Sequence, residues 1–460
     1  MRSPELAAPH QAHVRPLLMK ELREVLSGRA LWTMLLILCP LVGYSFFQAV
    51  SLYSEASASA RDSPVLASGL SPLDGVLVPS YGALYLAVTL LFPFVAIRTL
   101  GHEKETGALR LLVQLPYRVP TLIAAKVAAI STAWLISIIP LLSVLIVWVV
   151  LGGHLYAPET LNLLLGHLLY GLLVGAIALF AAAISESAAT AAIIALAFTI
   201  GSWVLDFGLA GQPGLLEWLS RLSLTQTLRT FEQGLLSFSL LLGIVAGICG
   251  FTALSAIWLH PGQPQQNKLT RSIICVVITA AVLALATQIR TSIDLSEDQR
   301  NSFPAADQRA LADFRKPLVI TVHMAPEDPR YIDLRRNVLS KLQRVLPTVT
   351  IRLATTGQTM VGSTSDETYG EIEYSYGGRS ATSRSTSHRE ALPLLYGLAG
   401  KPIPTPIPGE DYPGYPLIAG GELLLVWFFG ALPLLIVLSW WWSRRVPRIP
   451  RQLVQEGGQS

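Results

Sequence analysis

Between Val127 and Leu205 lie 79 consecutive residues of which only Glu159 and Glu186 are charged. A soluble domain carries about 25% charged residues, so a run this long and this apolar belongs in a bilayer. Hydrocarbon offers no partner to a free N–H or C=O, which restricts spanning chains to helices and closed barrels. A crossing helix needs about 20 apolar residues, and eight stretches come near that length: Leu31–Val50, Tyr81–Ile97, Val127–Leu151, Leu161–Ile184, Ala188–Leu209, Phe238–Leu259, Ser272–Ile289 and Leu417–Trp442. Pro40, Pro93, Pro140 and Pro433 inside these spans predict kinks. About 30 residues precede the first span and no small-residue cleavage pattern closes it, so it does not read as a cleavable signal peptide.

Charge is concentrated elsewhere. Arg290 to Asp411 holds 15 basic and 15 acidic side chains, 30 of the 64 in the chain, which predicts one soluble domain between the seventh and eighth spans. Its place relative to the membrane follows from Lys and Arg, which stay on the cytoplasmic side of short loops. The first 30 residues, the 98–126 loop, the 260–271 loop and the tail hold 16 of them; the opposite loops hold 3. Both termini are therefore expected in the cytoplasm and residues 290–415 outside, in a bacterial inner membrane. The expected class is an all-α polytopic membrane protein of about eight transmembrane helices with a small extracytoplasmic α/β domain. Its parts are a cytoplasmic N-terminus with an interfacial helix (1–30), a six-helix bundle (31–260), a linker with the seventh span (261–289), the α/β domain (290–415), the eighth span (416–443) and a cytoplasmic tail (444–460).

Two cytoplasmic segments stand out. In Arg15–Trp32, Leu18, Leu22, Val25 and Leu26 recur at helical spacing with Lys20, Glu21, Arg23 and Glu24 between them, the pattern of a helix lying in the membrane interface; an amphipathic helix packed on the protein's own loops is the alternative. The 98–126 loop contains His102 and Glu103, but an H-E-x-x-H zinc site needs a second imidazole where Thr106 stands. What remains is a charged segment, Glu103 to Glu105, then Gly107, the stripe Leu109, Leu111 and Leu112, a Pro116 turn, and Lys126 at the edge of the next span. A short helix there could dock in a groove on a cytoplasmic partner.

The run E-K-E-T-G-A-L-R-L-L-V-Q-L-P, with Lys126 ten residues after Pro116, resembles the intracellular coupling segment of type-2 ABC exporter permeases. The resemblance extends from Leu18 to Leu259 and takes in the small-residue turn Ser185–Ala189 and a re-entrant-like stretch, Leu219–Gly234. It implies that Glu103, Glu105, Gly107, Leu111, Leu112 and Pro116 form the contact with a separate cytoplasmic ABC ATPase subunit. It also implies a second permease, a copy or a paralogue, beside this one. Arg110 departs from the family pattern, where Glu is common. A second stretch, RTSIDLSEDQRNSFPAADQRALADFRKPLVITVHM, is similar to the auxiliary membrane subunit of gliding-motility-type ABC systems, with Asp294, Leu295, Lys316, Pro317, Ile320 and Thr321 at the matching positions. The chain thus looks like a permease fused to a shortened auxiliary subunit.

Read from its residues, the outer domain has a buried strand at Leu318–Val322, a helix at Arg330–Val345, a strand at Val349–Leu353 and a hairpin of Glu371–Tyr376 and Ala381–Ser385 around Gly377 and Gly378. Thr355–Thr368 reads as a mobile loop and Pro402–Pro408 as a stiff spacer. His323, His388, Asp328 and Glu373 match no metal or triad spacing and read as structural residues. Ionisable residues in or beside spans are candidates for a substrate path: His167, Asp206 and Glu422.

Several chemistries are not written in the chain. The only Gly-Lys pair, Gly400–Lys401, is followed by Pro402 and has Leu395 where a phosphate loop needs its first Gly. No nucleophile elbow is present, so no enzyme activity and no directly bound cofactor are expected, and ATP would be used by the partner subunit. Cys39, Cys249 and Cys275 sit in apolar runs and suggest neither disulfide nor metal. A net charge of +4, scattered along the chain, does not suggest nucleic acid. Membrane lipid and an extracytoplasmic protein remain as expected partners. The leading expectation is a permease subunit of an ATP-driven exporter; the alternative is a non-transporting scaffold or mechanotransmitter relaying ATPase motion outward. An ion-driven secondary transporter is disfavoured by the scarcity of charge at span centres.

Overall fold

The computed structural model describes residues 14–115, 117–208, 223–289, 291–325, 328–346, 348–354, 368–405 and 412–445, the side chains of 205–208, 225 and 226 excepted. Pro116, the side chain of Asp206, residues 219–222, the 355–367 loop, residues 406–408 of the proline-rich spacer and the tail beyond 445 lie outside the described residues.

Helix α1 is Val14–Ser27. After Gly28, α2 (Arg29–Ala60) carries the first span, α3 (Leu73–Glu105) the second, and a short α4 (Ala108–Gln114) follows the Gly107 turn. The third span is α5 (Val119–Val150), the fourth α6 (Ala157–Ile184), and α7 (Ala188–Gly208) follows the Ser185 break. Helix α8 (Leu224–Glu232) leads through strand β1 (Leu235–Ser237) into α9 (Phe238–Leu259), and α10 (Gln265–Ala286) is the next long apolar helix. Among the described residues, seven helices are long and apolar enough to cross a membrane, α14 (Glu422–Ser443) being the last, with α7 a shorter apolar helix beside them. This is the polytopic helical architecture expected, though several helices overrun their apolar spans. Helix α2 continues ten residues past Val50, where Ser54 and Ser57 accept the backbone N–H groups of Ala419 and Leu417.

The bundle core forms where α2, α3, α5 and α6 meet, around Phe92, Trp134 and Trp148, all buried. Pro40 and Pro93 lie inside α2 and α3, and Pro140 follows a break in α5 at Ile138. Hydroxyls help there: Ser143 donates to the Pro140 carbonyl at 2.6 Å and Ser137 to Ala133 at 2.7 Å. The last span belongs to the bundle. Phe428 of α14 packs directly over Gly43 of α2, where a Cβ would collide with its ring, and lies edge-on to Phe46 at 5.9 Å. By contrast, α10 packs along α9 and leaves most of its surface exposed, as suits a helix at the lipid boundary.

Between α10 and α14 lies the α/β domain. Its four-stranded sheet runs in the order β4 (Val349–Leu353), β3 (Leu318–Val322), β5 (Ile372–Tyr376), β6 (Arg379–Ser383). Strands β3 and β4 are parallel; β5 is antiparallel to both β3 and β6. Alternation of Leu318, Ile320 and Val322 to one face follows from the period of two. That face is covered by α11 (Ala305–Ala312), by α12, which runs from Pro329 through one π-type turn to Val345, and by α13 (His388–Ala399). The predicted strands and helix are present, the hairpin's second strand beginning two residues earlier than expected, at Arg379.

One element was not foreseen. Strand β2 (Ser292–Asp294) pairs antiparallel with β1, Leu235 opposite Asp294 and Ser237 opposite Ser292. This ribbon is the footing of the α/β domain on the bundle. Gly234, at φ +78°, makes the turn into it, and its carbonyl accepts the Leu295 N–H at 2.9 Å.

Candidate functional site

The candidate coupling residues follow directly from the end of α3. Glu105 is exposed and so is Leu111, whereas Gly107 and Leu112 are half-buried. Gly107 adopts φ +74°, with open space around the position a Cβ would take; it turns the chain from α3 into α4. Lys104 faces the bundle. Its ammonium donates to three carbonyls at the end of α6, those of Ala182 at 2.7 Å, Ala183 at 2.8 Å and Ser185 at 2.8 Å. A lysine satisfying the last carbonyls of a helix also complements the negative end of its dipole.

Glu103 does not share the exposure of Glu105. It is 2% exposed, and Lys126 of α5, 1% exposed, donates to it at 2.6 Å. The same ammonium donates to both carboxylate oxygens of Glu21 at 3.1 Å and to the Thr99 carbonyl at 2.8 Å. Lys20 adds ion pairs with Glu103, with Glu21 at 3.1 Å and with Glu24 at 3.2 Å. Burial is the largest influence on Glu21 and lifts its carboxyl above the usual range against the pull of Lys126. Burial also works against the charge of Lys20, but the Glu103 hydrogen bond and the two carboxylates outweigh it and raise that amine. Glu21, Glu24 and Glu103 are close enough to hold a metal ion, yet two ammonium groups already stand among them. The cluster is an ion-pair network joining α1, α3 and α5.

The amphipathic segment therefore packs on the protein's own helices. Leu17 joins Leu122 and Ala125 of α5, with Val113 of α4 and Tyr117 of the returning loop against them. Leu17, Glu21 and Val25 are its buried residues, while Leu18, Leu22 and Leu26 lie partly buried on the flank. Glu21 and Lys20 were missed as site residues, although Glu21 stands four residues from both Leu17 and Val25. That spacing puts a carboxylate on the buried face, and a buried carboxylate requires a cation.

The substrate-path candidates are not brought together. His167 is buried between helices: its Nδ1 lies 3.1 Å from the Leu163 carbonyl, its Nε2 3.8 Å from Glu232, and its ring is edge-on to Tyr81. Glu422 is exposed in the first turn of α14. The side chain of Asp206 is outside the described residues. In the α/β domain, Asp328 caps α12 by accepting the Arg330 N–H at 2.9 Å and takes the Tyr369 hydroxyl at 2.8 Å, the structural role expected of it.

A second polar centre joins the α/β domain to the bundle. His154, between α5 and α6, contacts both carboxylate oxygens of Glu297 at 2.9 and 3.0 Å and stacks on Tyr415, whose hydroxyl donates to the same carboxylate at 2.6 Å. The Glu297 N–H donates to buried Glu159 at 3.1 Å. Arg300 pairs with Asp74 and donates to Ser71 at 2.9 Å. On the return segment, the Tyr415 N–H donates to the Leu70 carbonyl at 3.1 Å and its own carbonyl accepts from Tyr53 at 2.7 Å.

These helices make a multi-pass membrane bundle with a charged turn between its second and third spans. The family model described as ABC-2 family transporter protein matches residues 15–295, and the chain belongs to that family. It is a permease subunit of an ABC transporter, a membrane component that is not itself the enzyme and that works with an ABC ATPase subunit. The match runs past the sixth span, through α10, and ends one residue after β2. No curated protein and no solved structure matches the chain.

Proposed function

We propose that this permease couples ATP hydrolysis in a cytoplasmic partner to export, the 103–116 segment being the coupling element and Glu105 to Leu115 its contact surface. The observation that carries this reading is the joining of an exposed tip to a buried base. Glu105, Arg110 and Leu111 are exposed, whereas Glu103 and Lys104 immediately before them are tied to α1, α5 and α6. A push on the tip is delivered to several helices at once, which is what a two-state bundle needs from its motor. In this reading Glu103 acts by holding the tip in place. Residues Leu111 and Leu112 with Pro116 supply the apolar side of the contact, and ATP is bound by the partner. The bundle works beside a second permease, a copy or a paralogue, in an inner membrane with both termini cytoplasmic and the α/β domain outside. His167, Asp206 and Glu422 stay as candidates for the substrate path. The 290–415 domain with its flanking spans is the counterpart of a shortened auxiliary subunit.

The test is purification in gentle detergent from the native membrane, with mass spectrometry and ATP turnover of whatever is retained, beside a Glu105→Arg, Gly107→Trp double variant. Retention of a Walker-motif ATPase by the native chain and its loss from the double variant is the expected result. Equal retention by both would overturn the placement of the contact, and absence of any ATPase would overturn the coupling reading.

One observation favours a second reading, a relay of ATPase motion to an extracytoplasmic protein. Both segments that connect the α/β domain to the membrane are hydrogen-bonded to bundle loops, through Glu297, Arg300 and Tyr415. Deleting residues 295–410 separates the two: a transporter keeps substrate-stimulated ATP turnover, whereas a relay loses its output.

A further inference from the structure

Between the β1–β2 ribbon and helix α12 lies a cavity of about 240 Å³. A water needs about 10–15 Å³ of such space, so there is room for a polyatomic group. Leu235, Ser292 and Asp294 of the ribbon border it on one side, and Asn301, Ser302, Lys341 and Arg344 on others. Strand β1 runs straight into α9, and Thr291 follows closely on the end of α10. The cavity therefore stands where two apolar helices leave the hydrocarbon, on the side of the α/β domain.

Its lining sets two cations, Lys341 and Arg344, against one carboxylate, Asp294. Lys341 is 6% exposed; its ammonium donates to the Ser302 carbonyl at 2.9 Å and lies over the Phe303 ring at 5.7 Å. Arg344 donates its Nε to the Ser340 carbonyl at 3.1 Å in its own helix, and its Nη1 is buried without a partner. Among the described residues, no carboxylate lies within ion-pair distance of Lys341 or Arg344. The nearby acids are engaged. Asp294 accepts from the Ser296 N–H and hydroxyl and from the Asn301 N–H and amide, and Asp298 pairs with Arg300. Burial, against the pull of Asp294 and with Arg344 and Arg336 adding to it, brings the Lys341 amine down to about 8. A buried guanidinium nitrogen left unpaired is costly, and an anion entering the cavity would satisfy it.

We propose that this cavity binds a phosphate group, held by Arg344 and Lys341, at the membrane boundary on the α/β-domain side. Arginine and lysine are the side chains that recognise phosphate. The group can reach the site as the headgroup of an anionic phospholipid or as free phosphate.

The full-length protein in neutral detergent is titrated with inorganic phosphate and, separately, with phosphatidylglycerol against phosphatidylcholine, saturable thermal stabilisation being read in each arm. Arg344→Gln, which gives up one bond within its own helix, and Arg344→Lys, which keeps the charge without the fork, are measured alongside. We expect saturable stabilisation that Arg344→Gln weakens about tenfold and Arg344→Lys weakens less. Seen with phosphatidylglycerol alone, this assigns the site to a headgroup; seen also with inorganic phosphate, to the free anion. No saturable effect of either probe, or an effect that Arg344→Gln leaves unchanged, overturns the proposal.

Discussion

Lys126 donates to Glu103 at 2.6 Å across the gap between α5 and α3, and both side chains are withdrawn from solvent. Removing the cation leaves two buried carboxylates, Glu21 and Glu103, sharing only the partly exposed Lys20. Breaking one side of a buried ion pair costs about 3–5 kcal/mol, so Lys126→Met should lower the thermal midpoint in detergent sharply. Adding Glu103→Gln should restore part of the loss, because the uncompensated charge goes with it. Additive losses in a double-mutant cycle would rule out the pairing as the source of stability.

Glu105, two residues on, is expected to behave in the opposite way. It is exposed and outside the network, and surface substitutions usually stay within about 0.5 kcal/mol. Glu105→Arg should therefore leave the unfolding midpoint unchanged while it uncouples ATP turnover from transport. A variant that is destabilised, or one that is fully coupled, would count against the division between tip and base.

Gly107 offers a test of backbone alone. Its φ is +74° and nothing lies within 4 Å of the position a Cβ would take. Gly107→Ala should cost about 1–2 kcal/mol through the left-handed conformation alone. Crowding cannot contribute. If the alanine variant is as stable as the parent, the turn is not held in this conformation in solution.

These contrasts show what could be read from the chain and what could not. The sheet strands announced themselves by alternation: Leu318, Ile320 and Val322 occupy every second position and all are buried. The spans announced themselves by length and absence of charge. The network did not, because Glu21, Glu103 and Lys126 come from three separate segments and each looks like a loop or interface charge on its own. The stripe of Leu18, Leu22 and Leu26 left Glu21 among the polar residues of α1, whereas the buried face is the row Leu17, Glu21 and Val25. The β1–β2 ribbon is three residues a side and joins positions nearly sixty apart, too short for periodicity and too distant for turn chemistry. The seat of Phe428 on Gly43 is likewise a contact between the first and last spans, which no pattern within either span encodes.

The junction with the α/β domain predicts a local effect. Glu297 gathers His154, Tyr415 and, through its N–H, Glu159. The carboxylate is only partly buried, so Glu297→Ala should cost about 1 kcal/mol globally. The change should be concentrated in the return segment, with faster hydrogen exchange at Tyr415, whose N–H is bonded to Leu70. Unchanged protection there would mean that the two sides are held together by other contacts.

Lys341 gives the pH dependence. Burial, chiefly, lowers its amine from 10.5 to about 8 in the folded protein, so folding disfavours the charged form. Between pH 8 and 10.5 the unfolded chain binds the proton and the folded chain does not, and stability rises with pH across that window. Below pH 8 the charge is present in both states and its burial counts fully against the fold. Lys341→Met has nothing to titrate, and its loss of the Ser302 bond is the same at every pH. Relative to the methionine variant, the parent should therefore gain stability between pH 8 and 9.5, read as a changing difference between their thermal midpoints. A difference that stays constant through that range would mean that Lys341 is not buried as a cation, and would remove one of the two charges from the cavity beside it.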